Sequence, residues 1–114
     1  MLCVGAVSFW AWRAAPAAAP CAEREVGRAL SPDARALAEV FEVRCGASVA
    51  THVALRPPSA PPLARSDVFI AAGSAPVRLI WRENRELLLE SAAERVLAQE
   101  TSWRNVGVRL RLVR

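Results

Sequence analysis

The stretch SPDARALAEVFEVRCG, residues 31–46, decides how the chain is read, because it carries the clearest helical pattern in the sequence. Ser31 can cap a helix, Pro32 suits a first turn, and Asp33 favours the positive end of the helix dipole. Leu37, Val40 and Phe41 recur at i, i+3, i+4 spacing and so share one face, and Gly46 can end the helix. The spacing predicts a helix across this stretch.

Downstream, SVATHVAL (48–55) alternates and predicts a strand with Thr51 and His52 near its middle. RPPSAPP (56–62) is a proline-rich loop that cannot join a central ladder. SDVFIAAG (66–73) predicts a short strand, and residues 73–76 turn the chain. The hairpin follows in SAPVRLIWRENRELLLES (74–91), with a strand at 77–81, a polar turn through Arg82, Glu83, Asn84 and Arg85, and a return at 86–89. Ser91 and Glu94 stand at capping-box spacing, which predicts a second helix running to Gln99 or Glu100. The tail VGVRLRLVR alternates again. Val106, Val108, Leu110 and Leu112 face one way, and Arg109 and Arg111 form a basic outer face. Upstream, the charged segment 23–30 reads as a helical turn. The order helix, two strands, hairpin, helix, strand predicts an α+β fold, a small, mainly antiparallel sheet with two helices.

The chain has 114 residues, room for one small domain, and 54% of them are hydrophobic, too many for a disordered chain. Its basic charge is carried by fifteen Arg and no Lys. A GC-rich genome explains that bias; recognition of acidic partners by planar guanidinium groups is the alternative. The net charge of +4 is mild and the eleven acids are interspersed with the arginines. A nucleic-acid binder concentrates its charge in one stripe, so none is expected as a partner.

MLCVGAVSFWAW is uncharged and too short to span a bilayer, which takes about 20 residues. With Ala15-Pro16-Ala17 as an A-x-A-like cleavage site, residues 1–17 read as a secretory signal peptide and 18–114 as a single secreted binding domain. That leaves Cys21 and Cys45. A bridge between them would contribute about 3 kcal/mol in the chain-entropy model, and pairing with another chain is the alternative. Two cysteines and the distant His52 have no metal-ligand spacing, so neither metal nor cofactor is expected.

No constellation for catalysis stands out, and the chain reads as no enzyme. His52 with Cys45 could be imagined as a thiol–imidazole pair, but no motif joins them. Isolated glycines such as Gly46 and Gly73 make no phosphate loop. Glu83 and Glu86 flank a turn and read as solvated partners of Arg82 and Arg85. The remaining signal is apolar. Trp81 and Trp103, with Leu79 and Leu88 of the hairpin, form the candidate partner-binding set, since Trp concentrates energy at interface centres. Filling the small core is the other use for both tryptophans.

From EVFEVRC (39–45) through SAPPLARSDVFIAAG (59–73) and SAPVRLIW (74–81) to RENRELLLESAAERVLA (82–98), the order and spacing resemble the glycoprotein L subunits of alphaherpesviruses. The family's second Cys falls near Gly73 or Ser74, where this chain has none; Cys21 could replace it as the partner of Cys45. The resemblance implies a non-enzymatic envelope subunit that binds glycoprotein H and helps it fold and travel. It would thereby serve membrane fusion during entry, secreted and held at the virion envelope and host cell surface through that partner. LAEVFEVRCGASV and ERVLAQETSWRNVGVRLRLV are also similar to elements of bacterial solute-binding proteins, of which this chain would be a fragment. An orphan secreted binding protein is the third expectation.

Overall fold

The computed structural model describes residues 21–113, so the expected signal peptide lies outside the described residues. Strand occupies 66% of the structure and helix 3%, the latter a single 3-10 turn at Pro62–Ala64. The α+β expectation is corrected: neither predicted helix forms, and the fold is a two-sheet β-sandwich.

Nine strands follow in chain order: β1 (Cys21–Leu30), β2 (Leu37–Cys45), β3 (Ser48–Arg56), β4 (Ser66–Ala72), β5 (Val77–Glu83), β6 (Glu86–Ser91), β7 (Val96–Gln99), β8 (Ser102–Trp103) and β9 (Val106–Leu112). One sheet runs β1-β2-β3-β4-β7 and the other β5-β6-β9-β8. All pairings are antiparallel except β6 with β9. The expected strands at 48–55 and 66–73, the hairpin and the tail strand are all present as β3, β4, β5–β6 and β9. The core lies between the sheets. Ala38, Val40, Val53, Leu55 and Phe69 from the larger sheet meet Leu87, Leu89, Val106 and Val108 from the smaller one.

Within 31–46, Leu37–Cys45 is a strand because its apolar run is buried on both sides. Ala38 and Val40 face the core, while Leu37, Glu39 and Phe41 point to the outer face of the larger sheet and are buried there as well. A doubly buried strand shows no two-residue alternation. Its two acids, Glu39 and Glu42, stand three apart and imitate the polar face of a helix. Each is answered in its own layer. Glu39 meets Arg56 (Nε–Oε1 2.8 Å) on the outer face, and Glu42 accepts hydrogen bonds from Ser74, Arg24 and Arg44 at the sandwich rim. The Ser74 hydroxyl and the two guanidinium groups hold the Glu42 carboxyl below its ordinary value, against the opposing effect of burial.

The proline-rich segment provides the outer cover. Arg56 donates through Nη1 to the carbonyls of Pro58 (3.4 Å) and Ala60 (2.8 Å). Arg65 lies over the Phe41 ring, 4.2 Å from its centroid, and its Nη2 pairs with Glu23 at 2.6 Å.

The capping residues close turns instead. The Ser31 hydroxyl accepts the Arg35 and Ala36 amides at 3.2 and 3.1 Å, and Ala34 takes φ +61°. The Ser91 hydroxyl accepts the Ala93 amide at 3.1 Å and leads into β7 in place of the second helix. A side-chain oxygen that reaches a nearby backbone N–H serves a helix cap and a turn equally well, which is why the two look alike in sequence. Gly46, expected to end a helix, is the first turn residue between β2 and β3 at φ +64°. The segment 23–30, expected as a helical turn, is an exposed edge strand with a bulge between Glu25 and Gly27. Charged side chains and a bulge both discourage an edge strand from pairing with another chain.

Candidate partner-binding surface

The four residues expected to bind a partner do not share one surface. Leu79, Trp81 and Trp103 pack against the core. Trp81 also clasps the two sheets, donating its indole N–H to the Ala29 carbonyl of β1 at 3.0 Å. Leu88 points the other way, on the outer face of the smaller sheet, directly opposite Ile80 of β5 and Arg109 of β9, and is buried there. Long arginine stems cover apolar surface of this kind while their charged ends stay wet.

Trp81→Ala is therefore expected to destabilise the fold by about 3 kcal/mol through lost packing. Trp81→Phe, which keeps a ring and loses the hydrogen bond, should cost about 1 kcal/mol. Urea unfolding followed by circular dichroism checks both; unchanged stability in the alanine variant would return Trp81 to the role of interface anchor.

Cys21 and Cys45 form a disulfide that joins the exposed ends of β1 and β2, where the two residues stand directly opposite each other. The Cys45 sulfur is thereby unavailable to His52, whose Nδ1 lies 3.3 Å from Asp67 Oδ2. Among the described residues no group of His, Cys, Asp and Glu could hold a metal ion, and no helix is long and apolar enough to cross a membrane.

The outer face of the smaller sheet is charged but largely paired. Glu90 lies 3.7 Å from Arg78 and 2.8 Å from Arg111, and Glu86 lies 3.9 Å from both Arg82 and Arg109. With exposed Glu83 beside them, four arginines face three acids, the composition of a solvated face.

The unusual feature lies at the side of this sheet. β9 pairs with β6 along its whole length, but β8 covers it only from Val106 to Gly107, with one further bond from the Val108 amide to the Thr101 carbonyl at 2.9 Å. The Gly107 and Val113 amides bond toward β6, at Arg85 and Ser91. Because direction alternates along a strand, the N–H and C=O groups of Leu110 and Leu112 point to the side where β8 has ended. Among the described residues no strand is paired with them on that side.

No family model, curated protein or solved structure matches this chain.

The exposed side of β9 is bordered by open grooves. One, about 560 Å³, is lined by Gln99, Thr101, Val108, Arg109 and Leu110. A second of the same size lies between 92–94 and Leu112–Val113. Leu112 and Val113 are among the few large apolar side chains left exposed, at 56% and 41%. The alternation of the tail made its basic outer face legible. The missing neighbour was not legible, because it depends on β8 being two residues long, which only the TSWRNVG hairpin hinted at.

Proposed function

We propose that this chain is a non-enzymatic, exported binding module that receives an extended segment of a protein partner along the open side of β9. The observation that carries this is that, among the described residues, no strand pairs with Leu110 and Leu112 on the side away from β6, where the side chains of Leu112 and Val113 are exposed. An added strand would gain affinity from main-chain hydrogen bonds and specificity from alternate side chains. On the inner side it would meet Leu110 and Leu112, and on the outer side Arg109 and Arg111. Its complement is a strand that alternates apolar residues with Asp or Glu. A second copy of this chain fits poorly, since antiparallel self-pairing at this edge sets arginine against arginine.

The finer form of the proposal takes the partner from the glycoprotein L resemblance: a glycoprotein H-like ectodomain, assisted in folding and transport and acting in membrane fusion. Its support is the order of the resembling segments along the sequence; the helix that the resemblance implies after the apolar strand is replaced here by β7. The likeness to solute-binding proteins implies a helix and then a strand across residues 94–113, where the chain forms β7, β8 and β9.

Leu112→Pro tests the strand addition. Proline removes the outward N–H, leaves the ladder to β6 intact, and alters a side chain that is already 56% exposed. In co-expression with the glycoprotein H ectodomain from the same genome, the wild-type chain is expected to co-purify with it from the medium. The proline variant should be secreted at the wild-type level without it. Co-secretion untouched by Leu112→Pro would remove the strand-addition model, and a wild-type chain that ignores the ectodomain would remove the finer form alone.

A further inference from the structure

The opposite end of the sandwich gathers three loops around a cleft of about 150 Å³. The β1–β2 loop contributes Asp33 and Arg35, the β5–β6 turn Asn84 and Arg85, and the β8–β9 turn Arg104 and Asn105. Buried Ala36 and Val106 lie at its base, and Trp103 walls one side. Three guanidinium groups and one carboxylate leave the lining at +2, with two side-chain amides as further hydrogen-bonding groups. Asp33 is already engaged: its Oδ1 accepts the Ser31 hydroxyl at 2.8 Å and the Arg35 amide at 3.2 Å, and its Oδ2 stands 4.0 Å from Arg35 Nε. Arg85 and Arg104 have no ion pair among the described residues.

Arg104 stands where its own backbone disfavours it. It is the first of two residues linking Trp103 to Val106, at φ +53°. A two-residue hairpin with positive φ at its first position alone normally carries glycine there. The chain follows that rule at the matching position of the β2–β3 hairpin, with Gly46 at φ +64°. At the β8–β9 turn it departs from the rule, and the guanidinium so placed lies over the Trp103 ring, 4.8 Å from its centroid. Ala34, the other described non-glycine residue with positive φ, sits between the two residues that the facing loop contributes to the cleft. Local conflicts between residue and backbone are retained where the side chain has a task.

We propose that this loop-end cleft binds the oxyanion of a phosphate or sulfate ester, with Arg85 and Arg104 as its charged donors and Asn84 and Asn105 completing the set. Guanidinium groups suit such oxyanions because they donate two parallel hydrogen bonds. The site lies at the other end of the sandwich from the exposed stretch of β9 and stands independently of the partner strand proposed there.

The test titrates the purified, disulfide-bonded protein with inorganic phosphate and with sulfate, against chloride at matched ionic strength, and follows amide shifts and the Trp103 indole signal by NMR. Saturable shifts confined to the three loops are expected. Arg104→Gly should weaken binding at least tenfold while the melting midpoint without anion stays level or rises, because glycine relieves the backbone. Arg85→Gln should weaken binding at least tenfold without moving the fold. A phosphomonoester and a sulfated monosaccharide, run in parallel, distinguish the two ester classes by which binds more tightly. Shifts no larger than those with chloride would overturn the proposal, as would an Arg104→Gly protein that melts lower and binds unchanged.

Discussion

Glu39→Ala is expected to cost about 3–5 kcal/mol, enough to bring a domain of this size close to unfolding. Glu39 is 3% exposed and the Arg56 side chain 9%, and they meet through two contacts, Nε–Oε1 at 2.8 Å and Nη2–Oε2 at 3.4 Å. Arg28 approaches the same carboxylate at 3.5 Å from the exposed side. Removing the carboxylate strands a guanidinium inside the fold, and the large effect reflects that uncompensated charge more than the strength of the pair. The pairing also positions Arg56 to hold the Pro58 and Ala60 carbonyls, so the cover over Phe41 should loosen together with it. Replacing both partners, Glu39→Met with Arg56→Met, should cost far less than the single change. Guanidinium unfolding of the single and double variants separates the cases. A loss under about 1 kcal/mol for Glu39→Ala would place the pair in solvent and remove the account of β2 as a doubly buried strand.

The second large effect belongs to the disulfide. Cys21 and Cys45 are 24 residues apart in sequence, and opening a loop of that length should cost about 3 kcal/mol in the chain-entropy model. In a domain this small the melting midpoint should fall by more than about 10 °C. The structure indicates where the loss begins. β1 is a mostly exposed edge strand, bound to the rest by its ladder to β2, the Trp81 hydrogen bond, the ion pairs of Glu23, Arg24 and Arg28, and the bridge. In the Cys21→Ser/Cys45→Ser variant, amides of β1 should exchange with solvent before those of β3 and β6. Melting under reducing and oxidising conditions, with hydrogen exchange on the double variant, checks both statements. A midpoint within about 2 °C of the native protein would mean that the remaining contacts fix β1 without the bridge.

Strands whose alternation or turns are local were legible in the sequence. β3, β4, β9 and the β5–β6 hairpin follow from alternation, the proline-rich break and the polar turn. β2 was misread because long-range burial overrides its local signals, and β7 because the Ser91 hydroxyl closes a turn and the exposed segment after it pairs along the edge of β4. The apolar face of 37–43 is doubled by a cover loop that folds back from residues 57–65, and no local pattern announces that cover. Ser31 and Ser91 do accept backbone amides as caps would, but the segments after them extend. β1 carries too few apolar residues to show a period and is held by the partner across the disulfide. Of the expected binding residues, the tryptophans were visible as apolar anchors. Only the three-dimensional arrangement shows that Trp81 and Trp103 are directed into the fold and that the exposed backbone lies at Leu110 and Leu112.

Amide hydrogen exchange at Leu110 and Leu112, measured by NMR with and without an extended peptide that alternates glutamate with valine, decides whether β9 has an open edge. In the protein alone these two amides should exchange rapidly, while those of Arg109 and Arg111, which point to β6, exchange slowly. With the peptide bound, Leu110 and Leu112 should become protected, and a lysine–valine peptide should leave them unchanged. Slow exchange at both positions in the protein alone, or equal indifference to both peptides, would contradict the claim that β9 offers an open edge to an acidic partner strand.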